Sequence, residues 1–338
     1  MSFAEGSRIA LVKLSSLGDV VHALPVAATL KVARPRARLA WIAERREAAL
    51  LRDHPALDEV IVADTRGWRR ARTPATARAA LADMGALGRR LARWRFDVVL
   101  DLQGLLKSGI VTAACRAPLR VGFATGWGRE PLHALFVNRR VQPPAAARHV
   151  VDQYLSLLSP LGVVERRMEF RLPVSPAAET RMEEWLASAG LKPHRRLVVL
   201  NPGAGRADKR WPVEHFGVLA RRLAHEADAQ VLVVWGPGED TAARAIVETS
   251  GVATLAPPTD LDALLALLRR ASAVVAADTG PLHLAAGLGT PCVGLYGPTS
   301  AERNGPYGDG HRALASPDGT LRALTPERVL AAVTEVLR

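Results

Sequence analysis

The sequence is short of four things. It has 2 cysteines in 338 residues, Cys115 and Cys292, far apart and each among apolar neighbours. A disulfide framework or a thiolate metal site needs several cysteines at set spacings, so two buried thiols are the expectation. Aromatic residues make up 5% of the chain. That is poor material for the stacking platforms that hold single-stranded nucleic acid, and no nucleic-acid-binding module is recognisable. No apolar run reaches the ~18 residues that span a bilayer. The opening MSFAEGSRIALVKLSSLGD lacks the basic-then-apolar pattern of a secretion signal, because its apolar run is short and interrupted by Lys13. A cytoplasmic location is expected.

Acidic residues are the fourth shortage. There are 33 Asp and Glu against 45 Lys and Arg, a formal net charge of +12. So basic a chain is drawn to phosphate-rich or acidic partners, although charge does not choose among nucleic acid, an anionic membrane surface and an acidic substrate. Arginines concentrate at Arg66, Arg69, Arg70, Arg72 and Arg78 around Trp68. Such a cluster is either a solvated face or a surface for anions.

What remains is an ordinary globular composition, 49% hydrophobic and 23% charged, with a length that suggests two domains. Short apolar runs at 8–14, 38–42, 60–63, 97–102 and 120–123 read as strands, separated by helical stretches such as 75–94. An amphipathic helix over 148–161 closes this half, and 162–175 reads as a linker. A second series follows: helix 177–189, strands 196–200, 230–235, 273–276 and 292–295, and a last helix at 326–337. That alternation predicts an α/β protein with doubly wound parallel sheets.

The polar residues that follow these strands carry the chemistry. Ala273–Ala276 leads through Asp278, Thr279, Gly280 and Pro281 into a short helix whose first N–H groups and dipole form an anion site. His283 lies one turn along. The alternative is plain N-capping by Asp278 or Thr279, with His283 a partly buried helix residue. Asp19 follows the first strand: it either caps the next helix or presents a carboxylate, a potential general base, where open α/β sheets bind ligands. The motif lacks G-x-G-x-x-G spacing, which argues against an oxidoreductase dinucleotide site. The loop 201–212, NPGAGRADKRWP, gathers backbone amides and cations around Lys209, as phosphate-binding loops do. Glu239, after strand 230–235, is placed either to accept ribose hydroxyls or to start a helix. Asp260 and Asp262 form a D-x-D best explained by capping. Arg129 is either paired with an acid or presented to an anionic ligand.

Five stretches in fixed order, KLSSLGDVVHALP, DLQGLLKS, GREPLHALFVNRR, KRWP after the glycine loop, and DTGPLHLAA, run from Lys13 to Ala286. Together they resemble the signature segments of the lipopolysaccharide heptosyltransferases, glycosyltransferase family 9. The resemblance implies a GT-B fold, two Rossmann-like domains facing across a central cleft. It places an acceptor domain at 1–165, an ADP-sugar domain at 176–320, and at 321–338 a helix able to pack back on the N-terminal domain. The implied activity is inverting transfer of L-glycero-D-manno-heptose from ADP-heptose to the first Kdo of Kdo2-lipid A. It would need no metal and no cofactor, and would take place at the cytoplasmic face of the inner membrane, with peripheral contact to its anionic surface and no nucleic-acid partner. By motif position Asp19 is the implied base. Lys209, Asp278, Thr279, Gly280 and His283 are the implied donor phosphate-site residues, Glu239 the ribose carboxylate, and Arg66, Arg69, Arg70, Lys107 and Arg129 the acceptor-binding cations. The alternatives are another nucleotide-sugar transferase of the family, a GT-B sugar-nucleotide epimerase, and a non-catalytic anion-binding protein.

Overall fold

Apolar runs that end in glycine or a polar side chain form two fully parallel sheets. The computed structural model describes residues 5–338, and the chain divides into the compact units Met1–Pro173 and Val174–Arg338. The division falls in a stretch, residues 163–175, that contains no helix or strand.

In the first unit the strands are β1 (Arg8–Val12), β2 (Arg38–Ala43), β3 (Glu59–Val62), β4 (Val98–Asp101), β5 (Leu119–Phe123) and β6 (Arg139–Val141). The helices are α1 (Leu17–Ala33), α2 (Arg45–Ala48), α3 (Thr65–Arg70), α4 (Pro74–Trp94), α5 (Leu106–Ala114) and α6 (Val150–Ser156). The sheet order is β3-β2-β1-β4-β5-β6. The inner strands are apolar at nearly every position, as expected when helices cover both faces of a parallel sheet. Ala10, Val12, Ile42 and Val99 pack on one face with Leu91 and Trp94 of α4.

The second unit repeats the plan. Its strands are β7 (Leu197–Asn201), β8 (Gln230–Val233), β9 (Thr254–Leu255), β10 (Ala273–Ala277), β11 (Cys292–Tyr296) and β12 (Arg312–Ala315). Its helices are α7 (Pro176–Ser188), α8 (Val213–Glu226), α9 (Asp240–Ser250), α10 (Leu261–Arg270), α11 (Gly280–Gly287), α12 (Ala301–Asn304) and α13 (Pro326–Val336). The order is β12-β11-β10-β7-β8-β9. Read from its own first strand, this is the order of the first unit. Each sheet therefore reverses direction once, between β1 and β4 and between β7 and β10, and such switch points are where open α/β sheets bind ligands.

Several details differ from the sequence reading. Helix α1 starts at Leu17 rather than after Asp19, because Ser16 and Asp19 form a capping box. The helix expected over 148–161 stops at Ser156 and gives way to a 3₁₀ turn, Ser159–Leu161, where Pro160 has no N–H to offer. Strands β6 and β9 have only three and two residues, and β12 is a largely exposed edge strand, so none of them stands out as an apolar run. The terminal helix, for which the resemblance left a return to the N-terminal domain open, is part of the second unit's core: Val329, Leu330 and Val333 pack with Phe216, Leu219 and Leu295. Both cysteines are buried and free, and burial pushes the Cys115 thiol up to about 12. The side chain of Asp260 accepts from the N–H of Ala263 at 2.7 Å, so it caps α10. No helix among the described residues is long and apolar enough to cross a membrane.

Candidate active site

The first unit's switch point is assembled from the segments that follow β1 and β4. Gln103 ties them together: its Oε1 accepts from the N–H groups of Leu14 (2.9 Å) and Ser15 (3.1 Å), and its Nε2 donates to the Ser15 carbonyl at 2.6 Å. Asp101, fully buried, accepts from the N–H groups of Gln103 and Gly104 and from the Ser108 hydroxyl at 2.9, 3.1 and 3.1 Å. Burial raises the pKa of Asp101, against these hydrogen bonds. It serves as the bracket of the β4 loop.

On that bracketed backbone stands Asp19. Its Oδ2 accepts from the N–H and hydroxyl of Ser16, at 3.1 and 3.0 Å. Its Oδ1 meets Arg129 Nη2 at 2.9 Å and Lys13 Nζ at 3.6 Å, and accepts from the Tyr154 hydroxyl at 3.4 Å. Asp19 caps α1 with one oxygen, and its other oxygen lies among these cations just past the carboxyl end of β1. Of the two readings of Arg129, the structure shows the pairing with an acid, Asp19. Burial is the largest influence on Asp19 and pushes its pKa up, but Lys13, Arg129 and the Ser16 N–H outweigh it, and the carboxyl is held well below the usual range. Lys13 is fully buried. It donates to the Tyr154 hydroxyl at 2.6 Å and to the Leu102 carbonyl at 3.1 Å. Burial lowers it to about 8, with Asp19 resisting the drop.

The acceptor cations divide into two groups. Lys107 Nζ lies 3.3 Å from Ser15 Oγ and 3.4 Å from Glu44 Oε1, and Arg66 pairs with Glu47 at 2.9 Å. Glu44 and Glu47 are buried. Thr65 donates to Glu44, and the N–H of Arg66 approaches it at 3.4 Å. Buried carboxylates thus fix Lys107 and Arg66 in place. Arg69 and Arg70 sit in the last turn of α3 with exposed side chains, and no structural contact ties them to Asp19.

In the second unit Lys209, Asp278, Thr279, Gly280 and His283 come together at the other switch point. Asp278, directly after β10, accepts from Lys209 Nζ at 2.8 Å with one oxygen and meets His283 Nε2 at 3.0 Å with the other. Burial pushes this carboxyl up, but His283 and Lys209 prevail and hold it well below its ordinary value. Thr279 is the N-cap residue of α11, and Gly280 is its first residue. The Thr279 hydroxyl donates to the Ala277 carbonyl at 3.1 Å and accepts from Asn201 Nδ2 at 3.4 Å. The first N–H groups of α11 therefore have no side-chain cap. Glu239 accepts from the N–H of Gly236 at 2.8 Å. Its carboxylate fills the space that a Cβ on Gly203 would need, which brings the 201–212 loop and Glu239 side by side. Arg210 donates to the Ala204 carbonyl at 3.2 and 3.1 Å, and the buried Trp211 donates to the Leu324 carbonyl at 2.9 Å. These bonds fix the loop on either side of Lys209.

Sequence reasoning missed Lys13, Tyr154, Gln103, Glu44 and Glu47. Lys13 and Gln103 had a local signal, a cation in an apolar strand and a polar residue just past a strand within DLQGLLKS. Among the described residues no group of three His, Cys, Asp or Glu side chains is arranged to hold a metal ion.

The glycosyltransferase family 9 (heptosyltransferase) model matches residues 84–329. Lipopolysaccharide heptosyltransferase 1 of Pseudomonas aeruginosa is 32% identical, over 91% of this chain and 84% of its own. That of Escherichia coli K12 is 29% identical, over 96% of this chain and 98% of its own. The crystal structure of E. coli heptosyltransferase WaaC with ADP-2-deoxy-2-fluoro heptose superposes with a TM-score of 0.78 at 28% identity, covering 97% of this chain and 99% of that one. The two six-stranded parallel sheets are those of the GT-B fold.

Proposed function

The chain belongs to glycosyltransferase family 9, and on that premise we propose that it transfers L-glycero-D-manno-heptose from ADP-heptose to the first Kdo of Kdo2-lipid A. The reaction is inverting and independent of metal, and it takes place at the cytoplasmic face of the inner membrane, with peripheral contact to the lipid. The coarser statement, glycosyl transfer of heptose in lipopolysaccharide synthesis, rests on the family and on relatives similar over nearly the whole length. Family membership sets the epimerase and the non-catalytic readings aside. The observation that carries the finer reading is Asp19, a carboxylate kept ionised at a switch point and ringed by cations suited to an acidic acceptor.

In the proposed mechanism Asp19 removes the proton of the acceptor hydroxyl as its oxygen attacks the anomeric carbon, and the bond to the ADP oxygen breaks on the opposite face. The charge that grows on ADP is met by Lys209 and by the uncapped N–H groups at the start of α11. Asp278 positions Lys209 and His283, and Glu239 takes the ribose. Arg129, Lys107, Arg66, Arg69 and Arg70 receive the carboxylates and phosphates of the acceptor, where arginine pairs in bidentate fashion.

Ion-paired as it is, Asp19 is a weak base. Its two cations differ in freedom, for Lys13 is 0% exposed and Arg129 51%. An arriving carboxylate draws Arg129 away, and Asp19 then becomes more basic when the hydroxyl is in place. Arg129→Met should therefore raise the acceptor KM. Loss of a neighbouring cation raises the pKa of Asp19, so the acid limb of the kcat/KM profile should move to higher pH. A limb that stays at the wild-type position would separate Arg129 from Asp19.

The direct test is a mass-resolved transfer assay with ADP-heptose and Kdo2-lipid A, run with and without chelator. One added heptose in both arms is expected. Preference for another donor or acceptor supports a different transferase of the family, and loss of turnover in chelator removes the metal-free claim.

A further inference from the structure

Five large apolar side chains are exposed within thirty residues of the first unit: Leu106, Ile110, Trp127, Leu132 and Leu135. Leu106 and Ile110 are four apart on α5, and Ala113, also exposed, continues the same helix face. Leu132 and Leu135 are three apart on a 3₁₀ turn, Pro131–Leu135, where such residues eclipse one another. The two elements are neighbours. The N–H of Leu106 donates to Glu130 Oε2 at 2.6 Å, and the ring of Phe136 fills the space that a Cβ on Gly109 would need. The result is one apolar face, with Ile110 and Leu132 each 55% exposed and Leu135 72%.

The charge around this face is one-sided. Residues 102–148 contain Lys107, Arg116, Arg120, Arg129, Arg139, Arg140 and Arg148 against one acid of their own, Glu130. Lys107 and Arg129 are paired with Glu44 and Asp19 from outside the segment, and a cationic excess remains, with Arg120 and Arg140 at the turn itself, donating to the Phe136 and Ala134 carbonyls. An apolar face set in a cationic surround complements an anionic bilayer, whose headgroups attract each nearby Lys or Arg by about 1 kcal/mol, roughly a fivefold effect on partitioning. Apolar side chains that reach the acyl boundary add to that attraction. The same segment carries Arg129, which touches Asp19.

We propose that the face formed by α5 and the Pro131–Leu135 turn docks the protein on an anionic lipid bilayer and holds the Asp19 end of the first unit at the membrane surface. This deepens the membrane contact and lipid-anchored acceptor of the reading above, and rests on it.

The test is flotation of the full chain with vesicles containing about one third phosphatidylglycerol, set against pure phosphatidylcholine vesicles. The wild type should float with the anionic vesicles. An Ile110→Asp, Leu135→Asp double variant should lose roughly tenfold or more of this binding, while Leu81→Asp, at an exposed apolar position on α4, should retain it. Thermal melting verifies that each variant is folded, and Ile110→Ser with Leu135→Ser serves if the aspartates disturb expression. With acceptor embedded in vesicles the double variant should lose transfer, and with a water-soluble, deacylated acceptor it should match the wild type. A wild type that ignores anionic vesicles defeats the membrane reading itself. A wild type that floats, together with a double variant that floats equally well, defeats only the assignment of this face. Self-association in sedimentation that the double variant abolishes would show that a second copy covers the face, and would also overturn it.

Discussion

Replacing Asp19 with asparagine should lower kcat by about 10²–10⁴, the usual contribution of a positioned base, and leave the affinity for ADP unchanged. Asparagine keeps an oxygen for the Ser16 N–H and so retains the start of α1. It loses the charge that faces Arg129 and Lys13. Removing one partner of a buried ion pair often destabilises strongly, because the other charge is stranded. Lys13 escapes that penalty: its pKa is already lowered to about 8, so it gives up its proton at small cost and stays bonded to Tyr154 and the Leu102 carbonyl. The fold should therefore survive, as a melting curve would verify. The competing account is that Asp19 is only the N-terminal cap of α1. That account predicts near-normal turnover in Asp19→Asn, since asparagine is also a good capping residue. A kcat within a few-fold of wild type would remove Asp19 from the chemistry, and a large loss of ADP affinity would place its role elsewhere.

How far the sequence could be read depended on the distance over which each feature is encoded. Nine of the twelve parallel strands were legible because each is a local apolar run followed by a turn. The anion-directed loops were legible for the same reason: Asp278, Thr279, Gly280 and His283 fall within six consecutive residues, and the Lys209 loop is a single glycine-rich segment. The environment of Asp19 is built otherwise. Arg129 and Tyr154 lie 110 and 135 positions from it along the chain, and Gln103 reaches back 88 and 89 positions to Ser15 and Leu14. No local pattern links a tyrosine of α6 to the lysine that follows β1. The sheet order that brings β4 beside β1 creates these contacts, and the sequence implied that order only through the family resemblance. Glu44 and Glu47 escaped notice because two glutamates at the start of a short helix look like solvated residues. Their burial is what makes Lys107 and Arg66 fixed cations rather than mobile ones.

Lys209→Ala should weaken ADP binding and lower kcat by about 10²–10³, as loss of one preorganised donor to a developing anion does. Lys209 closes the 3₁₀ turn Ala207–Lys209, but the loop does not depend on it. Arg210 and Trp211 anchor the backbone through the Ala204 and Leu324 carbonyls, so truncation should leave the loop in place. Of the two side chains that offset its burial Asp278 would then keep only His283, and its pKa would rise. Lys209→Arg keeps the charge but spreads it over a planar fork on a longer stem. It should recover part of the ADP affinity and less of kcat, since a compact ammonium suits a single phosphate oxygen and a fork does not. Titration calorimetry with ADP measures the first effect, and single-turnover transfer measures the second. If Lys209→Ala binds ADP as the wild type does and turns over within about threefold of it, the lysine is only the structural partner of Asp278. The leaving charge would then fall to His283 and the α11 amides alone. If Lys209→Ala loses both and Lys209→Arg restores affinity without turnover, the ammonium is acting on the departing phosphate itself. That division separates binding of the donor from stabilisation of the transition state.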